Sequence, residues 1–388
     1  MKEIVRYGMV GGDLKAFIGE VHRKALNFDT RAKLVAGCFS IDPKLSVETA
    51  EAYDVDLSRC YKDYKEMAEK ESAREDGIDW VSICTPNFLH YAIAKEFLLH
   101  NINVVCEKPL CFTVEEAEEL VRIAEENDMH IILDGVFNHV SDDSVYFDRY
   151  YKFVGLDGKV GAYPYWAKVY DLMAEDSTLE KSAAEAQAKE YFQSLGVKDF
   201  SYVDWFEVYT TSLKDDNGEA VVDTIGDRIG MPVYGYQGWW GYDSMPVIYS
   251  TNGSEFQTGN WAEEIIYNED ETSVTQYWIT KGNNGWRLDV ANEVSDETWQ
   301  HFRDSVKELN SDAVIIGEIW DDATEYLMGD MYDSVMNYIF RNAVTGFAKG
   351  GSAVDSTAAL EKIRERYPRE AFYAMMNLVG SHDTTRVL

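Results

Sequence analysis

Carboxylates and histidines recur in this chain directly after short apolar runs, and these residue types perform acid–base and nucleophilic chemistry. Four such patches occur in order along the sequence, at residues 134–139, 285–293, 316–320 and 377–383. A parallel strand presents polar side chains in this way at its carboxyl end, where the active sites of α/β barrels lie. The patches therefore predict one site that is assembled from the ends of several strands.

The four patches resemble motifs of the alpha-amylase family of glycoside hydrolases, nearest to the neopullulanases and amylopullulanases. They are Asp134-Gly-Val-Phe-Asn138-His139, Gly285-Trp-Arg287-Leu-Asp289-Val-Ala-Asn-Glu293, Ile316-Gly-Glu318-Ile-Trp320 and Asn377-Leu-Val-Gly-Ser-His382-Asp383. Any one of them could arise by chance, whereas four in the family's order are hard to obtain by accident. The resemblance covers about residues 130–388 and implies a glycoside hydrolase that acts on an α-glucan oligosaccharide or polysaccharide.

The resemblance also implies roles for six residues. Retaining glycoside hydrolysis uses one carboxylate as nucleophile and one carboxylic acid to protonate the leaving oxygen, about 5 Å apart. By the resemblance Asp289 is the nucleophile, Glu318 is the acid/base, and Asp383 binds sugar hydroxyls and supports the oxocarbenium-like state. Arg287 lies two positions before Asp289, on the same face of its strand, and can pair with it. The residues expected at the substrate are Arg287, His139 and His382.

Two other polar residues of the first patch, Asp134 and Asn138, are expected to hold the loop rather than to touch sugar. Hydrolysis of this kind needs no cofactor. The sequence leaves a structural calcium ion open.

The first 130 residues alternate strand-like and helical segments, which is the rhythm of a doubly wound parallel sheet. Strand-like runs lie at 4–10, 33–39, 80–84 and 103–106, and helical stretches lie at about 46–53, 61–73, 89–99 and 114–127. The first run leads into Gly11-Gly12 and a helix start, which is either an ordinary strand-to-helix turn or a turn that cradles a pyrophosphate with backbone N–H groups. Asp13 stands where the motif G-x-G-x-x-G has its second glycine, so it brings a carboxylate to the phosphate position.

Further polar groups follow the third and fourth strands, at Thr85-Pro86-Asn87 with His90 and at Glu107-Lys108-Pro109. With the glycine turn and the Glu-Lys-Pro motif, residues 3 to about 130 resemble the nucleotide-binding domain of the glucose-fructose oxidoreductase / inositol dehydrogenase family. The resemblance implies that Lys108 lies near the nicotinamide and takes part in proton transfer. The cofactor-binding residues that it implies are Gly11, Gly12, Ala16, Phe17, Ile18, Thr85, Pro86, Asn87, His90, Glu107, Lys108 and Pro109. No acidic residue ends the second strand, so NAD and NADP both stay open as cofactors.

The predicted fold class is α/β, with a Rossmann-type doubly wound parallel sheet followed by a partial (β/α)8, or TIM, barrel. Residues 1–129 form the first domain, and residues 130–388 form the second, with barrel strands three to seven and an inserted subdomain at about 140–235. The halves meet in a strand at 130–137. We expect this strand to pair with residues 103–106 on one edge and 286–289 on the other, in one continuous sheet.

Within the second domain we predict a helix at 177–195, later strands at 333–341 and 371–379, and a helix at about 355–366 between those strands. An aromatic segment at 234–242 either stacks on sugar rings or packs in the core. The sequence shows no counterpart of the barrel's first, second and eighth strands, so we expect a chimera or a misjoined, truncated reading frame. Because a barrel closes only if strand number, tilt and stagger agree, hydrolysis would then be impaired.

Two other interpretations stay open. One is an NAD(P)-dependent oxidoreductase of a sugar or polyol that lacks its substrate domain. The other is a catalytically inactive chimera that at most binds a nucleotide or a glucan.

Composition and net charge limit the binding partners and the cellular location that we expect for the chain. A chain of 388 residues with 46% hydrophobic content can form two or three domains, and no stretch approaches the roughly 20 apolar residues of a membrane span. The net charge of −33 opposes binding to nucleic acid and to anionic lipid surfaces. The N-terminus has no apolar core of a signal peptide, so we expect a cytoplasmic protein. The sequence does not indicate an oligomeric state.

Cysteine and tryptophan usage divides the chain at about residue 130. Nine of the ten tryptophans lie beyond residue 160, whereas all five cysteines lie in the first 111 residues. The cysteine spacings match no metal-ligand pattern, so we predict no metal site there and expect buried, reduced thiols. The cysteines are Cys38, Cys60, Cys84, Cys106 and Cys111.

Overall fold

The computed structural model of the chain describes residues 4–27, 31–215, 217–225, 228–248, 260–381 and 383–385. The chain divides by its contacts into two compact units. The first unit comprises residues 1–131, 281–284 and 380–388, and the second comprises residues 132–280 and 285–379.

The first unit contains a four-stranded parallel sheet of order β2-β1-β3-β4. Its strands are β1 (Val5–Gly11), β2 (Ala32–Cys38), β3 (Trp80–Cys84) and β4 (Asn103–Cys106), and its helices are α1 (Phe17–Leu26), α2 (Pro43–Ala52), α3 (Tyr64–Ser72), α4 (His90–Leu99) and α5 (Val114–Glu126). The sequential residues Met9 and Val10 belong to different buried clusters, because successive side chains of a strand point to opposite faces. Both faces of this sheet are therefore covered, and the predicted doubly wound fold is confirmed.

Short polar side chains begin three of these helices. Asp42, Asp63 and Thr113 accept hydrogen bonds from first-turn amide groups of α2, α3 and α5. Such caps satisfy backbone donors that have no partner within the helix. Ala16 stands at the same position before α1 and makes no side-chain cap.

The second unit contains a five-stranded parallel sheet of order β11-β10-β9-β8-β5, together with an antiparallel pair β6-β7. Its strands are β5 (Leu133–Gly135), β6 (Val208–Ser212), β7 (Tyr234–Tyr236), β8 (Gly285–Leu288), β9 (Val314–Gly317), β10 (Ser334–Asn337) and β11 (Met376–Asn377). Its helices are α6 (Ala162–Glu175), α7 (Lys181–Ser194), α8 (Asn260–Ile265), α9 (Val274–Thr280), α10 (Asp296–Leu309), α11 (Tyr338–Ala348), α12 (Ala353–Arg366) and α13 (Arg369–Ala374). Within the five-stranded sheet each strand pairs with the next one along the chain, as in a (β/α)8 barrel.

The prediction of one continuous sheet was wrong. Among the described residues β4 pairs with β3 alone and β5 pairs with β8 alone, so each is an edge of its own sheet. The strand is also shorter than residues 130–137. Ile131 donates its N–H to the Asn284 side chain at 2.9 Å and accepts the Asn284 N–H at 2.8 Å, so a loop satisfies its backbone groups.

Two later strands are also shorter than predicted. The predicted strand at 333–341 ends at Asn337, whose side chain accepts the Phe340 N–H at 2.9 Å and so begins α11. The predicted strand at 371–379 is helical up to Ala374, and β11 has two residues. The helices predicted at 177–195 and 355–366 are confirmed by α7 and α12, whereas α6 was not predicted.

Between β5 and β8 the inserted segment is held by buried charges. Arg228 forms ion pairs with Asp171 and Asp223, and Arg149 pairs with Asp223 at 2.7 Å. The Tyr234 hydroxyl donates to Asp171 at 2.9 Å, which ties β7 to this network. Buried charges are tolerated when they are paired in this way.

All five cysteines are free thiols, and Cys84 is buried while the other four are partly exposed. Burial raises the pKa of Cys38 and Cys106 to about 12 and that of Cys84 to about 11, so these thiols stay protonated at neutral pH. Of the helices in the described ranges, none is both long and apolar enough to cross a membrane.

Candidate active site

Arg287, in β8, lies among three carboxylates. Its Nη1 atom donates to Asp289 Oδ1 at 2.7 Å and to Asp134 Oδ1 at 2.8 Å, and its Nη2 atom lies 2.9 Å from Glu318 Oε2. The Arg287 side chain is 15% exposed and that of Glu318 is 4% exposed. One guanidinium thus links side chains that come from three neighbouring strands.

The register of the parallel strands produces this cluster. Asp134 of β5 stands opposite Arg287, and Leu288 of β8 stands opposite Gly317 of β9. Asp289 and Glu318 are the next residues after β8 and β9, so they leave the sheet side by side. The backbone continues this register, since the Glu318 N–H donates to Leu288 O at 2.9 Å.

The charge of Arg287 is stabilised by its neighbours. Burial alone would lower the pKa of Arg287, but the charges of Asp134 and Glu318 and the hydrogen bonds to Asp134 and Asp289 outweigh it. The net effect raises the pKa of Arg287, so the guanidinium stays charged wherever the protein is folded.

Both oxygens of Glu318 also have partners outside the cluster. The Tyr338 hydroxyl donates to Oε1 at 3.0 Å, and the Val290 N–H donates to Oε2 at 3.2 Å. Val290 has a φ of 46°, a left-handed conformation that is uncommon for a β-branched residue and persists only where the surroundings hold it. The loop after Asp289 is therefore turned toward Glu318.

His139 follows β5 and lies close to the same cluster. Its Nδ1 atom lies 3.2 Å from Oδ1 of Asn138, and Asn138 is itself fully buried and donates to Glu293 O at 3.3 Å. Burial lowers the pKa of His139, while the nearby charges of Asp289 and Glu293 act in the opposite direction. The lowered pKa keeps the imidazole neutral at pH 7.

Two groups of aromatic side chains contact these polar residues. The His139 ring stacks on Trp239 at 5.1 Å between centroids, and the Trp320 ring stacks on Tyr338 at 4.2 Å. Sequence reasoning assigned no role to Tyr338, and it left Trp239, in the aromatic segment at 234–242, open between stacking on sugar rings and packing in the core. Tyr338 directly follows β10, so the rule that polar groups follow strand ends could have found it.

The structure brings four of the six predicted site residues together in the second unit, namely Arg287, Asp289, Glu318 and His139. Asp383 belongs to the first unit, where it is exposed and its N–H donates to Ser381 Oγ at 3.3 Å. His382 lies outside the described residues. In the described ranges, no group of three histidine, cysteine, aspartate or glutamate side chains could hold a metal ion.

The glycine loop of the first unit has the backbone geometry of a phosphate cradle. Gly11 and Gly12 have φ values of 76° and 73°, which favour glycine, and a Cβ on Gly19 would lie 2.2 Å from Gly12 Cα. Gly19 was not among the predicted residues. Ala16, the residue before α1, makes no side-chain cap to the N–H groups of the first turn, which are the groups that bind a phosphate at a helix N-terminus.

Asp13 is the part of this loop that does not suit an anion. Its Oδ1 accepts the Lys15 N–H at 2.9 Å, so the carboxylate takes a backbone donor and adds a negative charge. The loop therefore combines a suitable backbone with an unsuitable side chain.

The other predicted cofactor residues differ in their surroundings. The His90 ring is buried and lies 2.7 Å from Pro109 O and 3.0 Å from Thr85 O, so it joins the ends of β3 and β4. Glu107 Oε1 lies 2.6 Å from His22 Nε2.

Thr85 Oγ1 is buried and has no hydrogen-bond partner in the part of the chain that the structure describes. Ile18 is half-buried, whereas the exposed members of the set are Phe17, Pro86, Asn87, Lys108 and Pro109.

Comparisons with known proteins match two overlapping regions of the chain. Residues 5–134 match the model of an oxidoreductase family with an NAD-binding Rossmann fold. A solved inositol dehydrogenase homolog from Azotobacter vinelandii, complexed with NAD+, is 37% identical, with 46% of this chain and 40% of that chain covered and a TM-score of 0.33.

The larger region resembles enzymes of α-glucan degradation. The amylopullulanase of Thermoanaerobacterium thermosulfurigenes is 39% identical over 294 residues, which cover 71% of this chain and 13% of that relative. Neopullulanase 2 of Thermoactinomyces vulgaris is 50% identical over 117 residues, which cover 30% of this chain and 20% of that relative. The chain thus spans a fifth or less of the length of these two proteins. Because the model of the alpha-amylase catalytic domain matches residues 108–388, more than half of the chain, the protein belongs to the alpha-amylase catalytic-domain family.

Proposed function

We propose that this chain hydrolyses α-glucans such as starch and pullulan by a retaining mechanism. The observation that carries the proposal is the single guanidinium of Arg287, which contacts Asp289 at 2.7 Å and lies 2.9 Å from Glu318. Membership of the alpha-amylase family and the likeness to an amylopullulanase support an α-glucan as substrate.

In this proposal Asp289 attacks the anomeric carbon while Glu318 gives its proton to the leaving glycosidic oxygen. A covalent glycosyl–Asp289 intermediate forms, and a water molecule deprotonated by Glu318 then releases the sugar with its configuration retained. Arg287 orients both carboxylates, and Tyr338 and the Val290 N–H hold Glu318.

The remaining predicted residues keep the roles that the family resemblance implies for them. His139 lies beside the cluster and donates or accepts one hydrogen bond to a sugar hydroxyl. We also assign sugar binding to His382 and Asp383. We also propose that the chain consists of two domains, residues 1–129 and residues 130–388.

The test is the release of reducing sugar from pullulan and starch by the full chain, beside Asp289→Asn and Glu318→Gln. Each substitution is expected to lower turnover on the order of 10²-fold or more, because a reacting carboxylate is lost. Asp134→Asn is the matched control, since Asp134 contacts the same guanidinium but is 59% exposed and has no proposed part in the chemistry. Nuclear magnetic resonance of the first product anomer reports retention.

Equal activity in all four proteins would reject the assignment of the two carboxylates. An inactive parent chain would favour the interpretation as a catalytically inactive chimera. Inversion of the anomeric configuration would reject the retaining mechanism alone.

We propose a second, weaker activity, the binding of NAD or NADP by the loop of residues 11–19. The positive φ angles of Gly11 and Gly12 and the close approach of Gly19 support it. The cofactor supplies hydride-transfer chemistry when it is bound, and this chain's residues bind its phosphates. Asp13 lowers the affinity, because its carboxylate repels the pyrophosphate.

A further inference from the structure

We propose that the first unit binds a pyrophosphate ligand together with a magnesium ion, which the Asp13 carboxylate and the phosphate oxygens hold between them. This inference rests on the proposed binding of NAD or NADP by residues 11–19. It names the condition under which a loop that carries a carboxylate accepts phosphate.

The backbone of this loop is packed as closely as a phosphate cradle requires. A Cβ on Gly11 would lie 2.7 Å from Cys84 O and 3.0 Å from Thr85 Cγ2, and a Cβ on Gly19 would lie 2.2 Å from Gly12 Cα. Next to Gly11, Thr85 Oγ1 is buried and has no hydrogen-bond partner among the described residues. The loop thus combines a close-packed glycine backbone with an unused hydroxyl donor for a ligand oxygen.

Three N–H groups of the loop already have partners within the protein. The Leu14 N–H donates to Thr49 Oγ1 at 3.3 Å. The Lys15 N–H donates to Asp13 Oδ1 at 2.9 Å, and the Ala16 N–H donates to Asp13 O at 2.8 Å. A phosphate at this loop therefore meets fewer free amide donors, and it needs another positive group to offset the charge of Asp13.

Magnesium is the cation whose coordination suits these side chains. It keeps several waters and binds through one or two carboxylates together with the phosphates of a ligand. Asp13 is half-buried, and its Oδ2 accepts no hydrogen bond from another described residue, so one carboxylate oxygen is open to a cation. Lys15 is exposed and forms no ion pair with another described residue, so its ammonium is open to a phosphate.

The cation and the ligand have to bind together. In the described ranges no group of three histidine, cysteine, aspartate or glutamate side chains could hold a metal ion, so phosphate oxygens supply the ligands that the protein lacks there. A bridging cation also reduces the charge of the ligand, which lowers its repulsion by a chain with a net charge of −33. We therefore expect magnesium to stay unbound until a pyrophosphate is present.

The test is calorimetric titration of NADH and of ADP into the full chain, in magnesium chloride and in EDTA with sodium chloride at equal ionic strength. ADP carries a pyrophosphate without the nicotinamide half. Magnesium should tighten the binding of both ligands to the parent chain about tenfold, in the range of one contact between charged groups. Asp13→Asn should abolish this effect, because the amide loses the charge but keeps an oxygen for the Lys15 N–H.

Two controls separate coordination from damage to the fold. Asp56 accepts the Ser58 N–H at 2.8 Å, as Asp13 accepts the Lys15 N–H, but it begins a short 3-10 helix outside the loop. Asp56→Asn should therefore keep the whole magnesium effect. In EDTA, Asp13→Asn should bind NADH more tightly than the parent, since a repelling charge is gone, whereas a damaged loop would bind it more weakly in both buffers.

Each outcome decides between this inference and the proposed binding of NAD or NADP. If the parent chain binds NADH equally in magnesium and in EDTA, the inference fails and the NAD(P) proposal stands. If magnesium tightens ADP binding through Asp13 while NADH does not bind, the inference stands and the NAD(P) proposal fails. An equal magnesium effect in the parent and in Asp13→Asn, or binding of magnesium chloride alone, overturns the inference. No binding of either ligand in either buffer overturns both.

Discussion

Arg287 in the second unit and Asp13 in the first unit both lie near the carboxyl end of a parallel strand, but the groups that surround their charges differ. Arg287 is nearly buried and is matched by the carboxylates of Asp134, Asp289 and Glu318. Asp13 lies in a loop whose backbone suits an anion, and it accepts a hydrogen bond from its own loop at 2.9 Å.

The difference shows that the fold determines where the strand-end side chains lie, whereas the neighbouring charges determine what those side chains can bind. Both sheets place polar groups at their strand ends, as parallel sheets do. In the second unit the side chains there are complementary to one another. In the first unit the side chain opposes the ligand that the backbone would hold.

Replacing Arg287 should give the largest effect. Arg287→Met leaves three carboxylates without their shared cation, so we expect hydrolysis to fall on the order of 10²-fold and the free energy of unfolding to fall by about 3–5 kcal/mol. Arg287→Lys keeps the charge but loses the planar fork, so activity should fall similarly and stability less. Kinetics on pullulan and urea unfolding measure the two effects.

The matched control for this prediction is Arg303→Met. Arg303 pairs with Asp333 at 2.9 Å, but Lys307 also contacts Asp333, at 2.8 Å, so no carboxylate is left without a cation. Activity should be unchanged. Equal losses in both variants would show that Arg287 acts only through stability.

Asp148, in the second unit, is a third charged residue to compare, because burial destabilises the ionised form of its side chain. Burial raises its pKa to about 6, and the N–H groups of Lys152 and Phe153 reduce the shift only in part. Because the carboxyl pKa is higher in the folded protein than in the unfolded chain, Asp148 adds most to the free energy of unfolding below the unfolded pKa, which is near 4. This contribution is lost as the pH rises through about 6. At pH 8 the ionised Asp148 therefore destabilises the fold.

The effect of Asp148→Asn on the free energy of unfolding should be more favourable at pH 8 than at pH 4 by about 1–3 kcal/mol. At both pH values the amide keeps one of the two oxygens that accept the Lys152 and Phe153 N–H groups and places an NH2 group at the other, so the difference between the two pH values isolates the charge. Asparagine also suits the φ of 54° at this position. Urea unfolding at a series of pH values measures the difference. A variant that is equally stabilised at pH 4 would show that the backbone, not the charge, is responsible.

Much of the fold could be predicted where an apolar run ends at turn-forming residues. The bounds of β3, Trp80–Cys84, and β4, Asn103–Cys106, agree with the prediction to the residue. The strand-end positions of Asp289 and Glu318 could be predicted for the same reason. The partners of Glu318 could not, since the contact with Tyr338 depends on how β10 lies beside β9.

The junction between the two regions explains the wrong sheet prediction. The two family matches overlap at residues 108–134, which contain α5 and the start of β5. A helix, a turn and a strand occur in this order in both the Rossmann-type fold and the (β/α)8 barrel, so the local sequence pattern is consistent with either fold. A strand has two edges, and the order of its side chains does not say which neighbour pairs with each edge.

Replacing Asp13 should give the smallest of these effects, a change in the affinity for NAD(P)H. It tests whether the carboxylate in the first unit opposes an anionic ligand. Asp13→Gly removes the carboxylate and frees the Lys15 N–H, so we expect NAD(P)H to bind about three- to tenfold more tightly, in the range of one ordinary hydrogen bond. Asp13→Asn removes the charge but keeps an oxygen that can accept the Lys15 N–H, so it should recover only the electrostatic part of the gain. Calorimetric titration of NADH and NADPH into the full chain measures both variants, and higher salt should shrink the difference between them and the parent because salt screens the repulsion. A dissociation constant that stays the same or rises in Asp13→Gly would mean that the carboxylate does not limit binding, and that the loop fails as a phosphate site for a reason that lies in its backbone.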